Sequence, residues 1–203
     1  MILQLIFLLC VALPLEAFVI RQLATPLTVT NGAYWGYWQS PEFCPSGSFA
    51  DGYSMKIEPI QYNGDDTALN AIKLRCVYKN GAFAGEVTSG QGPWGVWRAM
   101  DLCPSFDGHR TFLTAFALKV ESDQGGGDDT GANAVKFSCL LTGSLEYILA
   151  PRDGEGPSGT YGSWSDSCPI GYAICGLKTK VEGSQGNDDD TALNDVKFYC
   201  CKF

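Results

Sequence analysis

An acidic turn of the form Asp-Asp-Thr-x-x-Asn occurs three times in the chain, and each copy leads into a segment that ends in a cysteine. Two carboxylates and an amide are oxygen ligands of the kind that Ca²⁺ takes, in sets of about six to eight. The same side chains also bond to nearby backbone N–H groups and fix turns. The residues are Asp65, Asp66, Thr67, Asn70, Asp128, Asp129, Thr130, Asn133, Asp189, Asp190, Thr191 and Asn194.

We favour the structural interpretation of this turn. The motif lacks the regularly spaced carboxylates of an EF-hand loop, and its Thr and Asn recur as faithfully as its carboxylates. Turn-forming side chains explain every repeated position, whereas calcium ligation explains only some. A zinc site does not fit either, because the chain has no Cys-x-x-Cys pair and a single histidine. We therefore expect neither a metal nor another cofactor.

Tryptophans are the second group of residues with a chemical use. Core packing is the simpler interpretation, since large rings bury much area and favour strands. The alternative is display of one ring of each pair, because strand positions three apart point to opposite faces and an exposed ring offers a flat surface to a sugar. The candidates for glycan binding are Trp35, Trp38, Trp94, Trp97 and Trp164.

Residues for covalent or acid–base catalysis are few. His109 is the single histidine, it lies in a loop flanked by Gly108 and Arg110, and the other two copies have no counterpart. No serine sits in a Gly-x-Ser-x-Gly elbow. Carboxylate pairs remain, and these are the groups that glycosidases use. We assign no catalytic residue and favour a non-enzymatic function, with glycosyl transfer by carboxylates as the alternative.

The motifs belong to three copies of one module. Each copy opens with an aromatic pair, continues through Cys-Pro into a segment ending Lys-Ile/Val-Glu, and closes with the acidic turn and a last segment. In the third copy the pair is Tyr161 and Trp164, so Tyr161 is interpreted as replacing the first tryptophan. The copies are predicted to occupy about 31–80, 81–145 and 146–203.

Alternation of period two predicts strands. Tyr53, Met55 and Ile57 alternate with polar residues such as Ser54. In the second copy Ala117 occupies the position that corresponds to Ser54, on the outward face. One face is therefore predicted to be core and the other solvent-exposed. Three sheets with one apolar face each must bury those faces together. We predict an all-β fold, a prism of three sheets, with a two-sheet sandwich as the alternative.

The start of the chain predicts export. An apolar run from Met1 to Leu15 and a small-residue cleavage pattern at Ala17 are typical of a signal peptide, residues 1–17, which leaves 18–203 as a single domain. Its removal takes Cys10 and leaves an even number of cysteines, so we expect disulfides and an extracellular location. The net charge of −8 argues against nucleic acid, and no later stretch has the length of a membrane span.

Repeat equivalence predicts how the cysteines pair. Each copy has one cysteine before its first long segment and one at the end of its last, and closing such a loop stabilises by roughly 3 to 4 kcal/mol. In the third copy an exchange of partners remains open, with Cys168 joined to Cys201 and Cys175 to Cys200. The predicted pairs are Cys44 with Cys76, Cys103 with Cys139, Cys168 with Cys200 and Cys175 with Cys201.

The combination of motifs resembles one known family. The Trp-Gly-x-Trp openings, "CPSG" at 44–47, "GDDTALN" at 64–70, "DDTALND" at 189–195 and the doubled cysteine at 200–201 resemble vitelline membrane outer layer protein 1. The resemblance covers the chain from about Asn31 onwards. It implies a disulfide-stapled β-prism of three Greek-key antiparallel sheets with pseudo-three-fold symmetry, and an extracellular protein of egg coats and other secreted fluids. No catalytic pair carries over to numbered positions.

Two functions follow as hypotheses. The first is a secreted, non-enzymatic structural or glycan-associated protein of an extracellular coat, egg envelope or mucous layer. Its partners would be glycans or glycoproteins of that coat, bound weakly, with neither nucleic acid nor a membrane span involved. The alternative comes from the resemblance, which implies a lysozyme-like transferase acting on N-acetylchito-oligosaccharides through carboxylates.

Overall fold

The computed structural model describes residues 26–61, 66–125, 129–140, 146–186 and 190–203. The predicted signal peptide lies outside these residues, as do Asp65, Asp128 and Asp189 of the acidic turns. Across the described ranges no helix has the length and apolar character needed to cross a bilayer. The strands in these ranges are β1 (Tyr37–Trp38), β2 (Glu42–Phe43), β3 (Ser48–Ile57), β4 (Leu69–Tyr78), β5 (Phe83–Thr88), β6 (Val96–Trp97), β7 (Asp101–Leu102), β8 (Ser105–Phe106), β9 (His109–Arg110), β10 (Phe112–Val120), β11 (Ala132–Leu140), β12 (Glu146–Leu149), β13 (Thr160–Tyr161), β14 (Tyr172–Val181) and β15 (Leu193–Lys202).

Three long antiparallel hairpins form the body of the protein. They are β3–β4, β10–β11 and β14–β15, and each is the centre of its own sheet. Each hairpin has two register shifts at equivalent places, one near the start of its first strand and one near the end of that strand. The same backbone course is therefore repeated three times, as the sequence repeat predicts.

The core lies where the inner faces of the three sheets meet. Tyr53, on β3, contacts Phe137, on β11, with ring centroids 4.7 Å apart, and Phe137 contacts Phe198, on β15, at 5.0 Å. Met55 and Ile57 are buried beside Tyr53, so the predicted core face of this strand is confirmed. The fold is an all-β prism of disulfide-linked antiparallel sheets.

The outward face of the long strands differs from the expectation. Ser54 and Ala117 are predicted to be solvent-exposed, yet they are 4% and 0% exposed. For Ser54 the neighbouring group is in the segment that follows β6, the short strand that pairs with β3. Ser54 donates a hydrogen bond from Oγ to the carbonyl oxygen of Arg98 at 2.7 Å.

These short strands come from the next copy along the chain. The opening strands of the three copies are β1, β6 and β13. β6 pairs with β3 of the first copy, and β13 pairs with β10 of the second. β1 closes the ring by pairing with β14 of the third copy. The repeat in the sequence is therefore not the unit in space, because each sheet combines the long strands of one copy with the opening strand of another.

The start of the described chain also completes the third sheet. In the first two sheets an outer strand follows the hairpin, and Val87 and Leu149 lie opposite Leu74 and Phe137. In the third sheet Leu27 takes this place opposite Phe198, with backbone hydrogen bonds of 2.8 and 3.2 Å in the two directions. Leu27 is 4% exposed and belongs to the main core.

The disulfides connect the sheets to one another. One cysteine precedes each long hairpin, and its backbone N–H donates a hydrogen bond of 2.8 Å to a carbonyl oxygen in the neighbouring sheet. Its sulfur forms a disulfide with the hairpin of its own copy. The fourth bridge lies within the β14–β15 hairpin. The pairing is the one that repeat equivalence predicts, without the exchange in the third copy: Cys44–Cys76, Cys103–Cys139, Cys168–Cys200 and Cys175–Cys201.

Candidate functional site

The acidic turn forms one hydrogen-bond network in each copy. In the first copy Thr67 Oγ1 donates to Glu58 Oε2 at 2.6 Å, and Asn70 Nδ2 donates to Thr67 Oγ1 at 2.6 Å. Thr67 and Asn70 are buried. The Glu that ends Lys-Ile/Val-Glu is thus a member of the turn, which sequence reasoning missed although the residue recurs in every copy. The equivalent sets are Glu121, Thr130 and Asn133, and Glu182, Thr191 and Asn194.

The second carboxylate of each turn binds the backbone of its own loop. Asp66 accepts a hydrogen bond from the N–H of Gln61 at 2.7 Å, and Asp129 accepts one from Gln124 at 2.9 Å. Among the described residues there is no group of three or more His, Cys, Asp or Glu side chains placed to hold a metal ion. The contacts that are described are those of a fixed turn.

One residue of each turn has a left-handed backbone. The φ angles are +46° at Ala68, +57° at Gly131 and +47° at Ala192. This conformation costs a residue with a Cβ atom roughly 1 to 2 kcal/mol and costs glycine little. The glycine of the second copy therefore relieves strain that the other two copies retain, which explains one departure from perfect repetition.

None of the five tryptophans lies in the buried core, so the core-packing expectation is wrong for all of them. Trp164 is 37% exposed. Trp35, Trp38, Trp94 and Trp97 are half-buried on the outside of the prism. Their rings lie partly under neighbouring chain and partly in solvent, so neither the simple core nor the simple display hypothesis describes them.

The structure also corrects the equivalence of Tyr161. Gly36, Gly95 and Gly159 have φ angles of +72°, +78° and +74°, and each lies against the backbone at the end of a long strand. Tyr161 follows its glycine by two residues and therefore stands where Trp38 and Trp97 stand. Ser158, in place of Tyr161, is the counterpart of Trp35 and Trp94. The glycine was the signal in the sequence that would have given this alignment.

A lysine lies over the aromatic ring of the second residue in each opening strand, β1, β6 and β13. The Nζ atom is 4.6 Å from the Trp38 ring for Lys197, 4.5 Å from the Trp97 ring for Lys73 and 4.2 Å from the Tyr161 ring for Lys136. Such cation–π contacts contribute about 0.5 to 1 kcal/mol at exposed sites. One face of each ring is therefore in use within the protein.

A cleft opens beside the first of the opening strands. Its volume is about 330 Å³, and we call it the aromatic cleft. The rings of Tyr34 and Trp35 are 4.2 Å apart at an interplanar angle of 31°. Tyr34 is 67% exposed and Tyr37 is 83% exposed. The lining residues are Tyr34, Trp35, Gly36, Tyr37, Glu182, Gly183 and Gln185.

Buried carboxylates elsewhere are held by structural partners. Asp51 accepts hydrogen bonds from Arg75 Nη1 at 2.8 and 2.7 Å and from Arg110 Nη1 at 3.2 Å. Burial nevertheless raises the pKa of Asp51. Asp101 is bound by Arg152, whose Nε donates at 2.5 Å. His109 is exposed in the small β8–β9 hairpin.

Comparison with known proteins places the chain in a family. The model of the family described as vitelline membrane outer layer protein I (VOMI) matches residues 25–203. The chain belongs to this family. It is 45% identical over 183 residues to the vitelline membrane outer layer protein 1 homolog of Mus musculus, covering 88% of this chain and 84% of the relative. The Homo sapiens homolog is 44% identical over 179 residues, covering 87% and 82%.

A solved structure shares the fold. Calystegia sepium agglutinin superposes with a TM-score of 0.50 and 13% sequence identity, covering 90% of this chain and 97% of the agglutinin. At this identity the likeness concerns the fold alone. It agrees with the three-sheet prism described above.

Proposed function

We propose that the protein is a secreted, non-enzymatic, glycan-associated component of an extracellular coat, such as an egg envelope or a mucous layer. The observation that carries the proposal is that none of the five tryptophans belongs to the core and each is at least partly exposed on the outside of the prism. Large amphipathic rings that are not needed in a core are typical of binding surfaces. Weak contacts with sugar rings at several such places would retain the protein in a coat.

Two further features support this proposal. The curated relatives are named for the outer layer of the vitelline membrane, which suggests a coat as the setting. Four disulfides, three of them joining neighbouring sheets, suit an oxidising compartment outside the cell and agree with the predicted signal peptide.

The non-enzymatic part is supported by how the reactive groups are used. All eight cysteines of the described residues are in disulfides. The buried Asp51 and Asp101 are bound by arginines, whereas a glycosidase needs one protonated carboxyl and a second carboxylate facing the same bond.

Two measurements test the proposal. The purified mature protein is applied to immobilised chitin fragments and mucins, with heat-denatured protein as the control, and we expect weak binding of the folded form. It is then incubated with chito-oligosaccharides, and we expect mass spectrometry to find the starting lengths unchanged. Longer or shorter products that persist after any lysozyme is removed would contradict the non-enzymatic assignment.

A further inference from the structure

The aromatic cleft lies at one of three equivalent corners of the prism, where a corner is an opening strand together with the end of the long strand that it pairs with. At the second corner, proline, tryptophan and valine stand in place of Tyr34, Trp35 and Tyr37. At the third corner, proline, serine and threonine take these places. Three aromatic residues in four positions thus occur at one corner, although the backbone is repeated at all three. The core makes no use of these rings, since Tyr34 and Tyr37 are mostly exposed. The counterparts by position are Pro93 and Pro157, Trp94 and Ser158, and Val96 and Thr160.

The aromatic side of the cleft is held in place before any ligand arrives. Lys180 Nζ donates hydrogen bonds to the carbonyl oxygens of Ala33 at 3.4 Å and of Tyr34 at 2.5 Å. The Tyr34 hydroxyl donates to Asp123 Oδ2 at 3.3 Å, which connects this corner to the acidic loop of the second copy. Gly36 lies against the backbone of Val181 and Glu182, where a side chain would not fit. Preformed sites lose little entropy on binding.

The polar side of the cleft is also fixed. Glu182 accepts hydrogen bonds at Oε2 from Thr191, and a carboxylate has about four acceptor positions in all, so capacity for a ligand remains. Gln185 donates its backbone N–H to Asp190 and its Nε2 to the carbonyl of Gly183. Its side-chain oxygen is a further acceptor. Flat rings beside oriented acceptors match the apolar face and the hydroxyl groups of a pyranose.

We propose that the aromatic cleft binds a neutral pyranose residue at the end of a glycan chain. This assignment rests on the proposed function and names its site. The volume of 330 Å³ is at the lower end of the range of about 300 to 1,000 Å³ for ligand sites, so it suits a terminal residue rather than a long chain segment. None of the seven lining residues is basic and one is Glu182, so sialylated or sulfated ends are disfavoured.

The test compares two double variants that borrow residues the fold already contains. Trp35→Ser with Tyr37→Thr gives the cleft the side chains of Ser158 and Thr160. The matched control is Val96→Thr with Thr160→Val, which exchanges two exposed residues between the other two corners and touches no tryptophan. On an array of glycans with matched neutral and sialylated ends, we expect the first variant to lose binding to neutral ends by about tenfold or more. We expect the control to stay within about twofold of the wild type.

A second measurement does not depend on variants. In an NMR titration of the wild-type protein with methyl β-N-acetylglucosaminide and methyl β-galactoside, the indole N–H of Trp35 should shift at lower sugar concentrations than that of Trp94. Binding that the cleft variant retains, equal losses in both variants, or preference for sialylated ends would overturn the cleft assignment and leave the proposed function standing. A wild-type protein that binds no glycan would overturn the proposed function together with the site.

Discussion

At the scale of single residues, the acidic turn is organised by its threonine. Thr67 stands between Glu58, to which it donates, and Asn70, from which it accepts, and the same chain of bonds occurs in the other two copies. Because Asn70 is fully buried, its amide has no solvent to replace a lost partner. The turn is therefore sensitive at this residue.

The first prediction concerns Thr67→Val, which keeps the shape and removes the hydroxyl. It leaves a buried amide without one partner, so the free energy of unfolding should fall by about 1 to 3 kcal/mol in urea titrations. The control is Thr160→Val, at an exposed position where the equivalent strand β6 has Val96. Its free energy of unfolding should stay within about 0.5 kcal/mol of the wild type. Equal losses in both variants would mean that the network is not the cause.

The second prediction concerns pH and Asp195. Burial raises the pKa of this carboxyl, in spite of the Val196 N–H and the charges of Lys180 and Lys197. The folded protein then holds the proton to higher pH than the unfolded chain, so ionisation lowers stability as pH rises from about 4 through the raised pKa. Asp195→Asn removes this loss.

We therefore expect the stability of Asp195→Asn relative to wild type to increase between about pH 4 and pH 7. Urea titrations across this range measure it, with Asp153→Asn at an exposed site as the control. A difference that is constant with pH, or that decreases, would contradict the assignment of the raised pKa to burial.

Part of this residue-scale detail was readable from the sequence. Thr67 and Asn70 were identified as turn residues from their recurrence alone. The position of Tyr161 was not, because "YGSW" matches the letters of the other openings better than the glycine at 159 does. The sequence offers two glycines for this alignment, and only the positive φ shows that Gly159, rather than Gly162, is the equivalent of Gly36 and Gly95.

At the scale of elements, each opening strand belongs to one copy by sequence and to another by hydrogen bonding. Periodicity predicted the long strands, because Tyr53, Met55 and Ile57 share a face. It could not predict the exchange, since a two-residue strand such as β6 has the same sequence whichever sheet it joins. The disulfides then hold the exchanged strands: Cys103 is bonded to the carbonyl of Asp51 in one sheet and to Cys139 in the next.

The third prediction follows from this arrangement. Cys103→Ala with Cys139→Ala should lower the free energy of unfolding by about 2 to 5 kcal/mol. In hydrogen exchange followed by mass spectrometry, the amides of 96–103 should exchange faster, while those of the β10–β11 hairpin keep their protection. The matched control removes Cys175 and Cys201, whose bridge lies within one hairpin, and it should leave 96–103 protected. Faster exchange there in both variants would contradict the proposed role.

At the scale of the whole molecule, the prism is a closed ring whose last sheet contains both ends of the described chain. Leu27 lies opposite Phe198 and is buried in the common core. The sequence showed neither relation, because one apolar residue near a predicted cleavage site has no periodic pattern around it. The fourth prediction tests the closure.

Leu27→Ala should destabilise the protein as a core substitution does, by about 2 to 5 kcal/mol in denaturant titrations. A frayed terminus would instead give nearly no change. The neighbouring Thr28→Ala, at an exposed position, should have a small effect and serves as the control. An equally small effect at Leu27 would show that the ring stays closed without it.

Leu27 pairs with β15, and β1 pairs with β14. The start of the described chain therefore has its partner strands only after the last hairpin has been synthesised. During translation, residues 26–43 have no partner strand until residues 172–202 have left the ribosome. Long-range pairing of this kind slows folding and prolongs the exposure of unpaired edges. Nascent chains truncated before residue 172 should therefore depend on chaperones, and the protein should acquire its protease resistance only after residue 202 has left the ribosome.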